Sequence, residues 1–226
     1  QDAGWNFTIW GYNPAANNGY PFLKWQGIPD DIPVFIVETD QLASLTSSSA
    51  TIDGMILGLG STKPTAHGIC WNTTGTPTTA DNVTDLGAAD TTGEFTSQIS
   101  GLEANSEYFA RVYALNNDTT VYGDEITFST PTKELELEGT FTVADKIYDG
   151  TSQAEITSEN LSLTGVMTND EVAINTVIAH FSDSAVGENK FINITELTLE
   201  GGDKDKYHMN ENSFPVANAN ITPKEL

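Results

Sequence analysis

Apolar and polar residues alternate in this chain in short runs of period two. Such runs fall at 34–39, 50–57, 66–72, 95–99, 107–115 and 122–129, and each predicts a strand. From 73 to 94 the chain is rich in Thr, Asp and Gly, which predicts a long loop. Alternation resumes around Phe141 and Val143, and around Val172 and Ile174. It continues at 177–181, 191–199, 207–209 and 216–221, with Gly201-Gly202 closing the long run. No segment repeats apolar residues at spacings of three and four over ten positions, so no amphipathic helix is expected. The fold class expected is all-β: a two-sheet Greek-key sandwich followed by a second small β-domain.

The first residues follow a different pattern. Trp5, Phe7, Trp10, Tyr12, Tyr20, Phe22 and Trp25 crowd together, broken by Asn13-Pro14 and Asn17-Asn18-Gly19. Tight hairpin-like turns closing a β-solenoid would suit them. Gly27-Ile-Pro-Asp-Asp-Ile-Pro33 is a joint, because two prolines and two carboxylates resist both helix and central strand. A second joint opens at Pro131-Thr-Lys-Glu-Leu135. Three segments are therefore expected: 1–32 as the aromatic tail of an upstream domain plus linker, 33–131 as the sandwich, and 132–226 as the second β-domain. The Lys-Glu-Leu phrase at 133–135 returns at 224–226, about one small domain later, as a tandem array would have it.

Three resemblances attach to these segments. The run Trp5-x-Phe-x-x-Trp10, followed by Asn-Asn-Gly-Tyr-Pro-Phe-Leu-x-Trp25, resembles the tail that follows GLUG-type repeats in bacterial surface proteins. Leu102-Glu-Ala-Asn-Ser-Glu-Tyr108-Phe-Ala-Arg-Val112 resembles the corner-to-strand signature of fibronectin type III domains. The Gly68-Ile-Cys-Trp-Asn72 run and Tyr122-Gly-x-Glu-x-x-Phe128 resemble the variant abundant in surface proteins of Bacteroidetes. That likeness implies a fibronectin type III-like sandwich, with structural roles for Leu102 and Trp71 and a Tyr108 that hydrogen-bonds back to the corner. Lys146-x-Tyr148-Asp149-Gly150-Thr151, Phe181-x-Asp183, Val186-Gly187-x-x-Lys190 and Leu197-x-Leu-x-Gly-Gly-Asp203-x-x-x-Tyr207 resemble the YDG family of bacterial adhesin repeats. Tyr148 is a structural residue in that reading. The turn 203–206 is bulkier than the family tends to have.

Charge narrows the partners. Nine Lys and Arg stand against 32 Asp and Glu, a net charge of −23, and Arg111 is the only arginine. Nucleic acid is not expected as a partner and an anionic membrane surface is disfavoured, because both are held chiefly by Lys and Arg. No apolar run is long enough to span a bilayer, so no membrane insertion is expected of this chain, and no signal peptide is seen in it. Cys70 has no partner for a disulfide within the chain and sits in a strand-like run, as a buried, inert thiol would.

Catalysis needs converging groups, and few are on offer. His67, His180 and His208 lie in distant segments, and no nucleophile elbow, paired zinc-ligand motif or phosphate-cradling glycine loop occurs. No enzyme is expected. Calcium (Ca2+) is the one candidate cofactor, since loop carboxylates and carbonyls supply the oxygens it takes. Its candidate ligands are Glu200, Asp203 and Asp205 in one turn, Asp145 and Asp149 around another, and Asp30 and Asp31 at the first joint. Candidate ligand-binding aromatics are Trp5, Trp10 and Trp25, whose rings could stack on sugars.

The expected function is that of a structural spacer in a large secreted bacterial adhesin, associated with the cell surface and outer membrane. It would be a monomer in a tandem array, with host or environmental glycan or protein met through the parent protein. Two alternatives stay open: a carbohydrate- or protein-binding module, and an accessory region of a secreted polysaccharide-active enzyme.

Overall fold

The computed structural model describes the backbone at residues 10, 11, 22 and 23, and residues 35–60, 62–117 and 119–225 in full. Within the aromatic N-terminal stretch it describes β1 (Trp10–Gly11) paired with β2 (Phe22–Leu23). The rest of that stretch, its GLUG-like character and the joint at 27–33 lie outside the described residues. The chain divides into two compact units. Gln1–Leu45, Ala50–Ser100 and Tyr108–Phe128 form the first, and Thr46–Ser49, Gly101–Glu107 and Ser129–Leu226 the second.

The first unit holds β3 (Ile36–Leu45), β4 (Ser49–Gly58), β5 (Ala66–Asn72), β6 (Asn82–Val83), β7 (Gly93–Ser100), β8 (Glu107–Leu115), β9 (Thr120–Tyr122) and β10 (Ile126–Ser129), with a few end residues assigned to the second. One sheet runs β3-β4-β7 and the other β10-β8-β5-β6, with β9 on β8. Strand β4 shows how sequence makes sheet. Ala50, Ile52, Gly54 and Ile56 are buried while Thr51, Asp53 and Met55 between them are not, as a period of two requires. Ile52, Ile69, Ile99 and Val112 are wholly buried. Each such side chain contributes roughly 1.5–3 kcal/mol.

Two expectations change here. The segment 73–94 is not loop throughout, because Asn82 and Val83 pair with Trp71 and Cys70. Thr84 is the cause. Its N–H donates to the Ile69 carbonyl (2.8 Å), and its hydroxyl accepts from the Ile69 N–H (2.9 Å). The close approach needs Gly68, where a Cβ would lie 2.2 Å from the Thr84 carbonyl oxygen. The single strand expected over 122–129 is split into β9 and β10. Gly123 still donates its N–H to the Val112 carbonyl (2.9 Å), in register with β9 on β8, and lies so close to Thr39 that a Cβ there would be 2.7 Å from the Thr39 backbone nitrogen.

The second unit holds β11 (Lys133–Val143), β12 (Lys146–Ile147), β13 (Gln153–Ala154), β14 (Ile156–Thr164), β15 (Ala173–Phe181), β16 (Gly187–Glu200), β17 (Tyr207–Met209) and β18 (Val216–Thr222). Its sheets run β14-β11-β17 and β12-β18-β16-β15-β13. Leu137, Phe141, Ala179, Phe181, Ile192, Ile194, Ala219 and Ile221 form the core. β14 is absent from the sequence expectation, because Ser158-Glu159-Asn160 is polar on both faces. It forms because β11 offers an antiparallel ladder from Glu136 opposite Thr164 to Val143 opposite Ile156. The two runs around 174 and 177–181 join as one strand across a bulge between Ile174 and Thr176. Strand β16 ends at Gly201, whose φ of +112° and close approach to the Glu171 carbonyl admit no side chain.

Candidate functional site

A cleft of the second unit, about 560 Å³, lies beside the Tyr148-Asp149-Gly150 turn. Asp145, Lys146, Asp149, Thr151, Gln153 and Glu155 contribute to its walls. Lys146 organises it. Its Nζ donates to the Thr151 hydroxyl (2.6 Å) and carbonyl (3.1 Å) and to the Gln153 carbonyl (3.0 Å), and it pairs with Asp149 Oδ1 (3.0 Å). Asp149 Oδ1 also accepts from the Thr151 N–H (2.8 Å) and hydroxyl (2.9 Å). The Thr151 N–H first, then Lys146, hold this carboxyl down at about 2. The ammonium thus closes the turn on itself. Tyr148, given a structural role from the sequence, has an exposed ring, while its N–H donates to the Thr222 carbonyl (2.8 Å).

Two of the other candidate carboxylates, Asp145 and Asp203, are engaged in the same way. Asp145 accepts from the Asn220 N–H (2.8 Å) and side-chain amide (3.0 Å), and both hold its pKa below the usual carboxylate value. Asp203 accepts from the Glu171 N–H (2.9 Å) and pairs with Lys206 (3.0 Å), with the same effect. Lys206 also pairs with Glu103 (2.5 Å) and Asp170 (3.6 Å), and Glu103 first, then Asp203, hold its ammonium charged. Tyr207 donates to Asp170 (2.6 Å) and accepts from the Met167 N–H (2.9 Å). Asp205 and Glu200 are exposed, and the Asp205 carbonyl accepts from the Asn105 side chain (3.0 Å). Among the described residues, no three of His, Cys, Asp and Glu gather where they could hold a metal ion. Asp30, Asp31, Trp5 and Trp25, and the side chain of Trp10, lie outside the described residues.

The histidines are apart and each is engaged. His67 is buried, with Nδ1 2.8 Å from the Gly87 carbonyl and its ring edge-on to Phe95. His180 Nδ1 lies 2.6 Å from the Thr195 hydroxyl, and His208 Nδ1 lies 2.9 Å from that of Thr132. Cys70 is fully buried, and desolvation pushes its thiol up to about 11 against the counter-effect of Arg111. Of the other structural residues, Leu102 and Tyr108 are buried and Trp71 is half-buried. The Tyr108 ring stacks on Phe128 at 5.9 Å.

A feature the sequence reading passed over lies on the outer side of the β16 sheet. Phe191 and Val216 are exposed there, at 61 % and 60 %. The signal was available: Phe191 is out of phase with Ile192 and Ile194, so inward isoleucines force the phenyl ring outward.

The YDG domain family matches this chain over residues 130–214. That span takes in the Tyr148-Asp149-Gly150 turn and Lys206 with Asp170 and Asp203, leaves out Glu103 and stops short of β18. No curated protein matches the chain. Among solved structures, the sensor domain of the anti-sigma factor RsgI4 from Pseudobacteroides cellulosolvens is 16 % identical, over 43 % of this chain and 76 % of that one, with a TM-score of 0.36. A shorter form of that sensor domain is 15 % identical, over 44 % and 97 %, with a TM-score of 0.34. Likeness at this level fixes neither fold nor role.

Proposed function

We propose that this chain is a non-catalytic spacer region of a large secreted bacterial surface protein, holding an adhesive part of that protein away from the cell. The observation that supports this best is how the second unit, with its YDG match, uses its ionisable groups. Lys146, Asp145, Asp149, Asp203 and Lys206 are each engaged by backbone groups or by one another. Groups tied in this way hold turns in place and are not poised to transfer protons. Single-molecule stretching of the chain tests the proposal. Two separate rupture events, one for each unit, are expected of a load-bearing region. A single cooperative event, or hydrolysis of glycosidic or ester substrates by the purified chain, would contradict it.

A second reading, a module that itself binds glycan or protein, is favoured by the exposed Phe191 and Val216 on one sheet face.

A further inference from the structure

In the sheet β12-β18-β16-β15-β13, Ile192, Ile194, Ala179, Phe181, Ala219 and Ile221 face the core. Residues alternating with them face the other way. Register places Phe191 opposite Asn218, and Asn193 between Val216 on one side and His180 on the other. Phe191, Asn193, Thr195, Val216 and Asn218 are all exposed. The Asn218 side chain is oriented by its donation to Asn189 Oδ1 (2.9 Å), and His180 by its bond to Thr195 (2.6 Å).

This strip carries no Asp, Glu, Lys or Arg in a chain of net charge −23. Charge returns at its borders, including the Lys190–Asp183 pair beside Phe191. Glu196 lies opposite Ile178, and Asp145 is bound to Asn220. A neutral face with one exposed aromatic ring flanked by amides and hydroxyls matches the chemistry of a sugar chain. The ring takes the C–H face of a pyranose, and the amides take its hydroxyls. An anionic polymer would be repelled by the surrounding carboxylates, and a cationic peptide would be drawn to them and away from this strip. Phe191 and Val216, with Ile147 on the adjoining β12, are too few apolar side chains for the core of a protein–protein interface.

We propose that the outer face of this sheet, centred on Phe191 and flanked by Asn193 and Asn218, binds a neutral glycan chain. The proposal rests on the binding reading above and names its site and ligand class. The test is affinity electrophoresis of the full chain in gels containing soluble β-glucan, mannan or xylan, with polygalacturonate as the anionic comparison. Retardation by at least one neutral polymer is expected, and not by polygalacturonate. Phe191→Ala should weaken retardation between about twofold and tenfold. Phe191→Trp should preserve it, and Leu86→Ala, an exposed site of the first unit, should leave it unchanged. Retardation that persists in Phe191→Ala would overturn the site while leaving the binding reading intact. Absence of retardation by every neutral polymer would overturn both. Loss of self-association alone in Phe191→Ala would assign the face to a second copy of the chain and overturn the proposal. Phe191 is exposed, so its variants should keep the native circular dichroism spectrum.

Discussion

In the first unit, polar groups that pin loops are taken into the interior. The hydroxyl of Thr39 accepts the Val112 N–H (2.9 Å), that of Ser97 donates to Thr84 (2.8 Å), and His67 anchors Gly87. Thr39, Ser97 and His67 are all buried. In the second unit fewer polar groups are buried, Thr130 being one, and turns are pinned chiefly at the surface through ionised carboxylates. Asp149 and Asp183 each accept a backbone N–H from the residue two positions on in their own turn, and Asp145 and Asp203 accept one from a distant strand or turn. Buried hydroxyls stay neutral at every ordinary pH, so the bonds of Thr39 and Ser97 are indifferent to acid and cost stability only if a partner is removed, whereas Asp81, which accepts the Thr78 N–H (2.8 Å), is an exception in the first unit. The second is open to protonation and to salt. Similar β-architecture can thus be fastened by devices that fail under different conditions.

The largest test of the contrast lies in the cores. Ile69→Ala and Ile192→Ala, each at a wholly buried site, should cost about 2–5 kcal/mol apiece. Hydrogen exchange read by mass spectrometry should localise each loss to its own unit. Loss of protection in both units from either variant would show one shared cooperative structure instead.

A smaller effect is expected at Thr84. Thr84→Val leaves the Ile69 N–H without the hydroxyl acceptor and removes the partner of Ser97, a loss of about 1–3 kcal/mol by chemical denaturation. An effect near zero would mean that interior hydroxyls do not pin the 73–94 segment.

Smaller still is the effect on thiol chemistry. Because the Cys70 thiol is pushed up to about 11, alkylation by iodoacetamide at pH 8 should be slow in the folded chain and rapid in denaturant. Rapid labelling of the folded chain would show that the first unit opens readily around β5.

Much of the fold was legible because alternation survives wherever one face of a strand is buried. Ala50, Ile52 and Ile56 announce β4, and Tyr108, Ala110 and Val112 announce β8. What escaped was structure that owes nothing to alternation. Asn82–Val83 is a strand because Thr84 is drawn to Ile69, and Ile156–Thr164 is one because β11 offers it a ladder. The candidate site was legible by residue type and not by engagement. Asp145, Asp149 and Asp203 stand out in the sequence as loop acids, yet their partners Asn220, Thr151 and Glu171 are set by turns and long-range register. Phe191 was legible in principle from its phase against Ile192 and Ile194, and it was hidden by being counted as one more apolar strand residue.

The most direct measurement is an NMR pH titration of backbone amides in the intact chain, following Thr151, Asn220, Glu171 and Ala185 as reporters of Asp149, Asp145, Asp203 and Asp183. Each carboxyl is held below its ordinary value of 3.8 in the folded chain. The stability it contributes is therefore fully present above that value and is lost as pH falls through the folded pKa. The account predicts amide shifts with midpoints below 3.8, near 2 for Thr151, while the amides of Ile69 and Val112, which are bonded to neutral hydroxyls, stay constant until the unit unfolds. Midpoints at or above 3.8 would mean that these carboxylates are merely solvated, and the surface-pinned description of the second unit would be wrong.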